Sequence, residues 1–477
     1  MRRRRAALGL SLFVLLGACD IGAPDERLPP RGPLVSPTGG DSRVIGLVGT
    51  QSGPNAWRGE DAFEGADVGV QWLNRQLDDG EVRFELFSLD DEGDPDKALS
   101  LVRRLTRDER TVGIVYAGPP EALPRAERAL ARAKIPALIC YGDLYGARQL
   151  SAHTFQMAPP YLWSARVLAR YVDIDRRYEV TGALVEETRN GQAARKGIQT
   201  AWSERGQRVL THPYDTGTTA FTSHLRRMKR AGVEALLVQG SPGVHAAVTR
   251  GLADMGALYG NTAGARISSA APKVTRRRRK NGWWHPQLMG FDQASFPEPR
   301  RVLRPGTVAA DTYARGEHYL PIPSFEGFRA AFIDWWAARP TGLEHRAYEA
   351  TLMLGWAIGQ QGSGRDLARV LERLRERRFG GLDVTFGPDD HTSVGVTTVG
   401  LWVVPSREAA VRERDRLPKG LPWVPLARGF SIDLEETDIL ARDWKFMFVR
   451  PPPPTAPAPK IRKSKWGIST SRRDPIH

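Results

Sequence analysis

From residue 44 the chain alternates short apolar runs with amphipathic stretches. The spacing predicts strands over 44–50, 84–89, 111–117 and 136–141, with helices over 61–77, 96–106 and 121–133 between them. In the first of these helices Ala62, Ala66, Val70 and Leu73 recur at three- and four-residue spacing and share one face. The alternation restarts after Pro159-Pro160. Helices are predicted over 164–172, 192–205, 221–231 and 245–255, and strands over 181–186, 235–239, 287–291 and 307–313. Helices over 325–338, 347–360 and 364–377 then return to the first unit, and late strands follow over 383–387 and 397–404. Strands alternating with helices imply parallel sheets covered by helices. Two such series predict an α/β fold of two doubly wound parallel-sheet lobes joined by a hinge.

The N-terminus carries a different signal. Arg2 to Arg5 form a basic region, residues 6–16 a short apolar stretch, and Leu16-Gly17-Ala18-Cys19 follows. A membrane-spanning helix needs about 20 apolar residues, so this stretch reads as a signal-peptide core. The residues before Cys19 resemble the cleavage motif of bacterial lipoproteins, which implies that Cys19 becomes the lipidated N-terminus. Residues 1–18 are then the signal peptide and 19–42, rich in Pro, Gly and Asp, a flexible tether. The expected division continues with 43–158 as the first part of lobe 1 and 159–305 as lobe 2. The crossover and return to lobe 1 take 306–380, and C-terminal strands and an extension on lobe 2 take 381–450. A Pro-rich, basic, disordered tail over 451–477 completes it.

The net charge of +15 suggests a nucleic-acid partner until it is located. Four charges are Arg2 to Arg5, and six lie in Lys273, Arg276 to Arg279 and Lys280. Five more lie in the tail from Lys460 to His477, which leaves the body neutral. A nucleic-acid binder carries its charge on folded faces, so no nucleic-acid partner is expected. The basic stretch within 261–284 breaks the pattern and reads as an insertion, a lid or disorder. The second of the two cysteines, Cys140, ends an apolar run and reads as a packed core residue.

Catalytic and cofactor motifs are missing from the sequence. No Gly-x-Gly-x-x-Gly follows the first predicted strand, no phosphate-binding Gly-Lys-Ser/Thr occurs, and no His-Glu-x-x-His occurs. Gly240-Ser241-Pro242-Gly243 is not a nucleophile elbow. The expectation is a protein that is not an enzyme and has no cofactor or metal.

A series of segments carries a family likeness. Ser52-Gly-Pro-Asn-Ala-Trp-Arg-Gly59, Phe63-Glu-Gly-Ala66 and Trp72-Leu-Asn74 resemble the opening of branched-chain amino-acid-binding proteins. These are type 1 periplasmic binding proteins of ABC importers. Leu89-Asp-Asp-Glu-Gly-Asp-Pro-Asp-Lys-Ala98, Thr216-Gly-Thr-Thr-Ala-Phe221, Ala347-Tyr-Glu-Ala350 and the stretch from Phe379 to Pro388 continue the likeness in order. The resemblance implies a solute receptor, lipid-anchored on the periplasmic side of the envelope, that binds a small molecule and serves ABC permease subunits. Asp20, after the cysteine, favours the inner membrane.

In open parallel sheets ligands sit beyond the carboxyl ends of the strands. The loops there are 51–55, 118–121, 142–145, 187–191, 240–243 and 292–295. Applied to these loops and the residues beside them, the resemblance implies Ser52, Gly118, Glu121, Tyr141, Asp143, Asn190, Ser241 and Asp292 as candidate ligand-binding residues. The family binds the ligand carboxylate through hydroxyls and backbone amides after the third strand. Here Gly118-Pro119-Pro120-Glu121 stands in that place, with amide donors removed and an acid added. Asp292 falls where the family has the acidic partner of the ligand ammonium, and also reads as a helix cap. Glu121 also reads as a helix N-terminal acid, and Tyr141 as a packing residue. These departures point to an amine-bearing or amino-acid-like solute. The alternative is an envelope lipoprotein that uses the same fold for protein contacts, such as a cell-wall synthase regulator.

Overall fold

The computed structural model describes residues 42–77, 82–143, 151–255, 284–291, 307–312, 323–337, 340, 342–361, 366–375, 377–379, 383–393, 399–403 and 424–425. Lobe 1 is built on strands β1 (Arg43–Gly49), β2 (Phe84–Asp90), β3 (Thr111–Ala117), β4 (Ala137–Ile139) and β5 (Thr154–Gln156). Among the described residues they form a parallel sheet of order β2-β1-β3-β4-β5. Helices α1 (Trp57–Arg75), α2 (Pro95–Leu105) and α3 (Ala122–Ala133) connect them. β3 is buried throughout, as expected of a parallel strand covered on both faces.

Lobe 2 holds β6 (Thr181–Glu186), β7 (Val209–Tyr214), β8 (Ala235–Gln239), β9 (Gln287–Gly290) and β10 (Val308–Thr312). Its helices are α4 (Tyr161–Arg170), α5 (Arg189–Ser203), α6 (Thr222–Arg230) and α7 (Pro242–Asp254). The sheet continues from β10 through β13 (Val399–Val403) and β14 (Val424–Pro425), both antiparallel to their neighbours. Separate cores pack on its two faces, one around Trp202 and Phe291 and one around Phe221 and Leu236.

Between β10 and β13 the chain revisits lobe 1. Helices α8 (Pro323–Trp336), α9 (Gly342–Gln361) and α10 (Leu367–Leu371) lie there, with a two-stranded ribbon of β11 (Arg377–Arg378) and β12 (Asp383–Val384). The backbone of His391 and Ser393 then pairs with Gln156 of β5. α9 packs directly on α1 because Gly65 and Gly69 present no side chain. A Cβ on Gly65 would stand 1.9 Å from the carbonyl oxygen of Glu344, and one on Gly69 would stand 2.8 Å from the Thr351 side chain.

The two doubly wound lobes appear as the hydrophobic pattern predicts, with differences that have local causes. α1 starts at Trp57 rather than at 61, after a short turn over Gly53–Asn55 that Pro54 opens. Gly59 lets this first turn touch the end of β1, and its N–H donates to the Thr50 carbonyl at 2.7 Å. The pattern predicts no element over 206–220, yet β7 lies there. It is an edge strand with Leu210 half exposed and Pro213 tolerated, so its apolar signal is weak. The strand expected over 383–387 is only the two-residue β12. Cys140 is fully buried and burial pushes its thiol up to about 12, the behaviour of a core residue. Cys19, the tether, the basic stretch and the tail lie outside the described residues.

Candidate functional site

The strand ends of lobe 1 bring three acidic or aromatic groups to one place. Asp90 ends β2 and Asp91 follows it. Burial would raise the Asp90 carboxyl, but the N–H groups of Gln51 and Glu92, each at 2.8 Å, outweigh it and hold the group low. Asp91 is wholly buried, and this burial raises its carboxyl despite bonds to Oδ1 from the Gly93 N–H and the Thr50 hydroxyl. Its Oδ2 is buried without a partner. That oxygen lies against Gly118, where a Cβ would stand 2.1 Å away. The loop that holds a carboxylate in the resembled family thus faces a carboxylate here.

Tyr141 follows β4, is buried, and meets the Trp57 ring edge-on with centroids 5.3 Å apart. Arg58, beside Trp57 at the start of α1, lies with its guanidinium carbon 4.4 Å from the centre of the Tyr141 ring. Its charge opposes the burial-driven rise in the pKa of Asp91 and of Glu186 in the other lobe.

Lobe 2 contributes Glu186 at the end of β6, and Tyr214 and Gln239. Burial raises the Glu186 carboxyl, while Arg58 and the Thr216 hydroxyl oppose the rise. The Gln239 side chain accepts from the Glu186 N–H at 3.0 Å, and the Tyr214 hydroxyl donates to the Gln239 carbonyl at 2.6 Å. Burial raises the Tyr214 phenol well above its ordinary value. The charges of Glu186 and, from lobe 1, Tyr141 add to this, and Arg58 opposes it. Groups from both lobes therefore share one electrostatic environment.

The sequence-derived residues take different places. Ser52 precedes the turn into α1 and bonds to Asp90. Gly118 and Tyr141 line the lobe 1 side described above. Glu121 stands at the N-terminus of α3 and makes no capping bond. Ser241 caps α7, accepting from the Val244 N–H at 3.4 Å. Asp143 and Asn190 meet each other where the chain first changes lobe. The Asp143 N–H donates to Asn190 Oδ1 at 3.2 Å, and Asn190 Nδ2 donates to the Tyr161 hydroxyl at 2.8 Å. The Asp143 carboxylate accepts from Gln156 Nε2 and from the Tyr161 N–H, and so joins the two sides of the crossover. Asp292 lies outside the described residues.

Sequence reasoning missed Arg58, Trp57, Asp91, Glu186, Tyr214 and Gln239. Their signal was position: each lies at or just beyond a strand's carboxyl end or on the first turn of the following helix, where ligands collect. Among the described residues no group of His, Cys, Asp and Glu is placed to hold a metal ion, and no helix is long and apolar enough to cross a membrane.

The fold is that of type 1 periplasmic binding proteins. A family model described as periplasmic binding protein matches residues 44–277. A type 1 periplasmic binding protein from Bordetella pertussis Tohama I superposes with a TM-score of 0.62 at 17% identity, over 77% of this chain and 97% of that one. A branched-chain amino acid transporter substrate-binding protein from Streptococcus pneumoniae, in complex with isoleucine, gives 0.62 at 14% identity, over 80% and 99%. An ABC transporter substrate-binding protein from Desulfitobacterium hafniense, in complex with Leu, gives 0.57 at 13% identity, over 80% and 99%. No curated protein matches the chain. At these identities the likeness establishes the fold and leaves the ligand to the site.

Proposed function

We propose that the chain is a lipid-anchored solute-binding protein of an ABC-type transporter that closes its lobes over an amine-bearing or amino-acid-like small molecule. One observation carries the reading: two buried carboxyls, Asp91 from lobe 1 and Glu186 from lobe 2, both feel the charge of one arginine, Arg58. Such a site is net negative when both acids are ionised. A buried charge needs a partner, and an ammonium supplies one. Glu121 beside the same loop, and Asp292 beyond Phe291, would add to this preference.

Several further observations support the reading. Solved relatives of the same fold hold isoleucine and leucine, both amine-bearing. Two lobes facing each other through strand-end loops are built for hinge closure. In this reading Cys19 carries the lipid, the protein faces the periplasm, and the closed form is presented to permease subunits. The shared action of Arg58 on Asp91 and Glu186 favours solute capture over the use of the fold for protein contacts alone.

The test is native mass spectrometry of the purified chain, followed by extraction and identification of any bound metabolite. An amine-bearing metabolite is expected. A tightly held sugar or dicarboxylate would overturn the charge argument.

A further inference from the structure

Arg58 stands in an unusual state for a cleft arginine. Among the described residues it makes no hydrogen bond and no ion pair, and its Nε is buried without a partner. What holds it are ring faces. The guanidinium carbon lies 4.4 Å from the centre of the Tyr141 ring and 5.7 Å from that of Trp57. Cation–π contacts fix a guanidinium in place without using its N–H donors. Arginine has five such donors in a planar fork that matches a carboxylate in two-point contact. Asp91 and Glu186 feel its charge, yet neither is paired with it.

The loop after β3 is poorly built for an anion. Pro119 and Pro120 have no N–H to offer. Gly118 lies against the unpartnered Asp91 Oδ2. The Pro119 carbonyl already accepts from the Tyr116 hydroxyl at 2.6 Å. An anionic group entering the cleft meets favourable charge at Arg58 and repulsion at this loop.

We propose that Arg58 is the anion-binding residue of the cleft: the solute carries a carboxylate as well as an amine, and that carboxylate docks on the Arg58 guanidinium at the start of α1. The proposal rests on the reading of the cleft as an amine site and adds the second charge of the solute. Trp57 and Tyr141 act as positioning residues, since they aim the fork and leave its donors free. A bound carboxylate there would complete the set of charges, with Arg58 neutralised by the solute and the ammonium turned towards Glu186 and Asp91.

The test is calorimetry on the full chain with each of the twenty standard L-amino acids beside the amine that lacks only its carboxyl group. Wild type, Arg58→Gln and Arg58→Lys are compared. At least one amino acid is expected to bind wild type about tenfold or more tightly than its matching amine. Arg58→Gln should bring the two within about twofold of each other, while Arg58→Lys keeps part of the difference. The urea denaturation midpoint of each variant, measured beside wild type, shows that it is folded. Equal binding of amino acid and amine to wild type, or equal weakening of both by Arg58→Gln, would overturn the role of Arg58 and leave the amine site standing. Failure of every amino acid and every amine to bind would overturn both.

Discussion

The backbone N–H of Tyr161, first residue of α4, donates to the carboxylate of Asp143 at 2.8 Å. The bond joins the loop after β4 in lobe 1 to the first helix of lobe 2. Gln156 on β5 donates to the other carboxylate oxygen at 3.2 Å. Asn190 closes the knot from α5, bonded to the Asp143 N–H and to the Tyr161 hydroxyl. Gly142 makes room for it: its φ of +88° is left-handed, and a Cβ there would approach Asn190 Oδ1 to 3.4 Å.

Asp143→Ala removes the acceptor of the Tyr161 N–H bond and one of the two acceptors of Gln156 Nε2, whose bond to the Ala158 carbonyl remains. Hydrogen bonds to charged groups contribute about 1.5–3 kcal/mol each. The variant should lose about 2–3 kcal/mol of stability in urea denaturation. A loss under about 0.5 kcal/mol would mean that the knot does not hold the crossover.

Much of the fold was legible because parallel strands covered on both faces read as apolar runs, as in β1, β3, β6 and β8. β7 was not, since an edge strand has one solvated side and lacks that run. The site was legible as a set of loops and only partly as residues. Ser52, Gly118 and Tyr141 lie at the lobe 1 strand ends as the loop argument implied. Asp143 and Asn190 could not be assigned from sequence, because their bonds join residues 47 apart across two lobes. Arg58 and Glu186 were hidden for a related reason. Each reads as an ordinary polar residue beside an apolar element, and only the folding together of two lobes sets one against the other.

Gly65→Ala tests the contact of α1 with α9. The new Cβ would meet backbone rather than a movable side chain, 1.9 Å from the Glu344 carbonyl oxygen. Overpacking that forces a backbone shift costs about 1–3 kcal/mol, and more where nothing yields. A fall in the urea-derived stability of at least about 3 kcal/mol is expected. Gly387→Ala, with nothing within 4 Å, is the control and should stay within about 0.5 kcal/mol of wild type.

His245, in the first turns of α7, is fully buried and neither ring nitrogen has a partner. Burial pushes its pKa down from 6.5 to about 3. The unfolded chain therefore takes up a proton below 6.5 that the folded chain refuses. Stability contributed by the neutral ring is present above 6.5 and is lost as pH falls towards 3. One proton gives a slope of about 1.4 kcal/mol per pH unit. His245→Leu should remove one such slope between pH 6 and 4, read as the difference between variant and wild type in urea midpoints. Parallel curves for the two proteins would show that the ring protonates in the folded state.

Glu186 links the cleft to pH in the opposite sense. Burial raises its carboxyl above the ordinary 4.5, against the pull of Arg58 and the Thr216 hydroxyl. Without solute, the folded state holds the proton more tightly than the unfolded chain. That contribution to stability is complete below 4.5 and is lost as pH rises through the folded value. An ammonium needs the ionised carboxylate, so amine affinity should rise over the same interval and level off above it. Glu186→Gln keeps the shape and removes the charge. Breaking a buried charged pair costs about 3–5 kcal/mol. Since Glu186 is not fully enclosed and Asp91 remains, a weakening of at least about tenfold at neutral pH is the expected result. The variant without solute should lose stability less than wild type as pH rises above 4.5, because the group that resists ionisation is gone. Calorimetry across pH on both proteins reads the first effect and urea denaturation the second. A variant that binds the amine as wild type does, with the same dependence on pH, would place the ammonium elsewhere in the cleft.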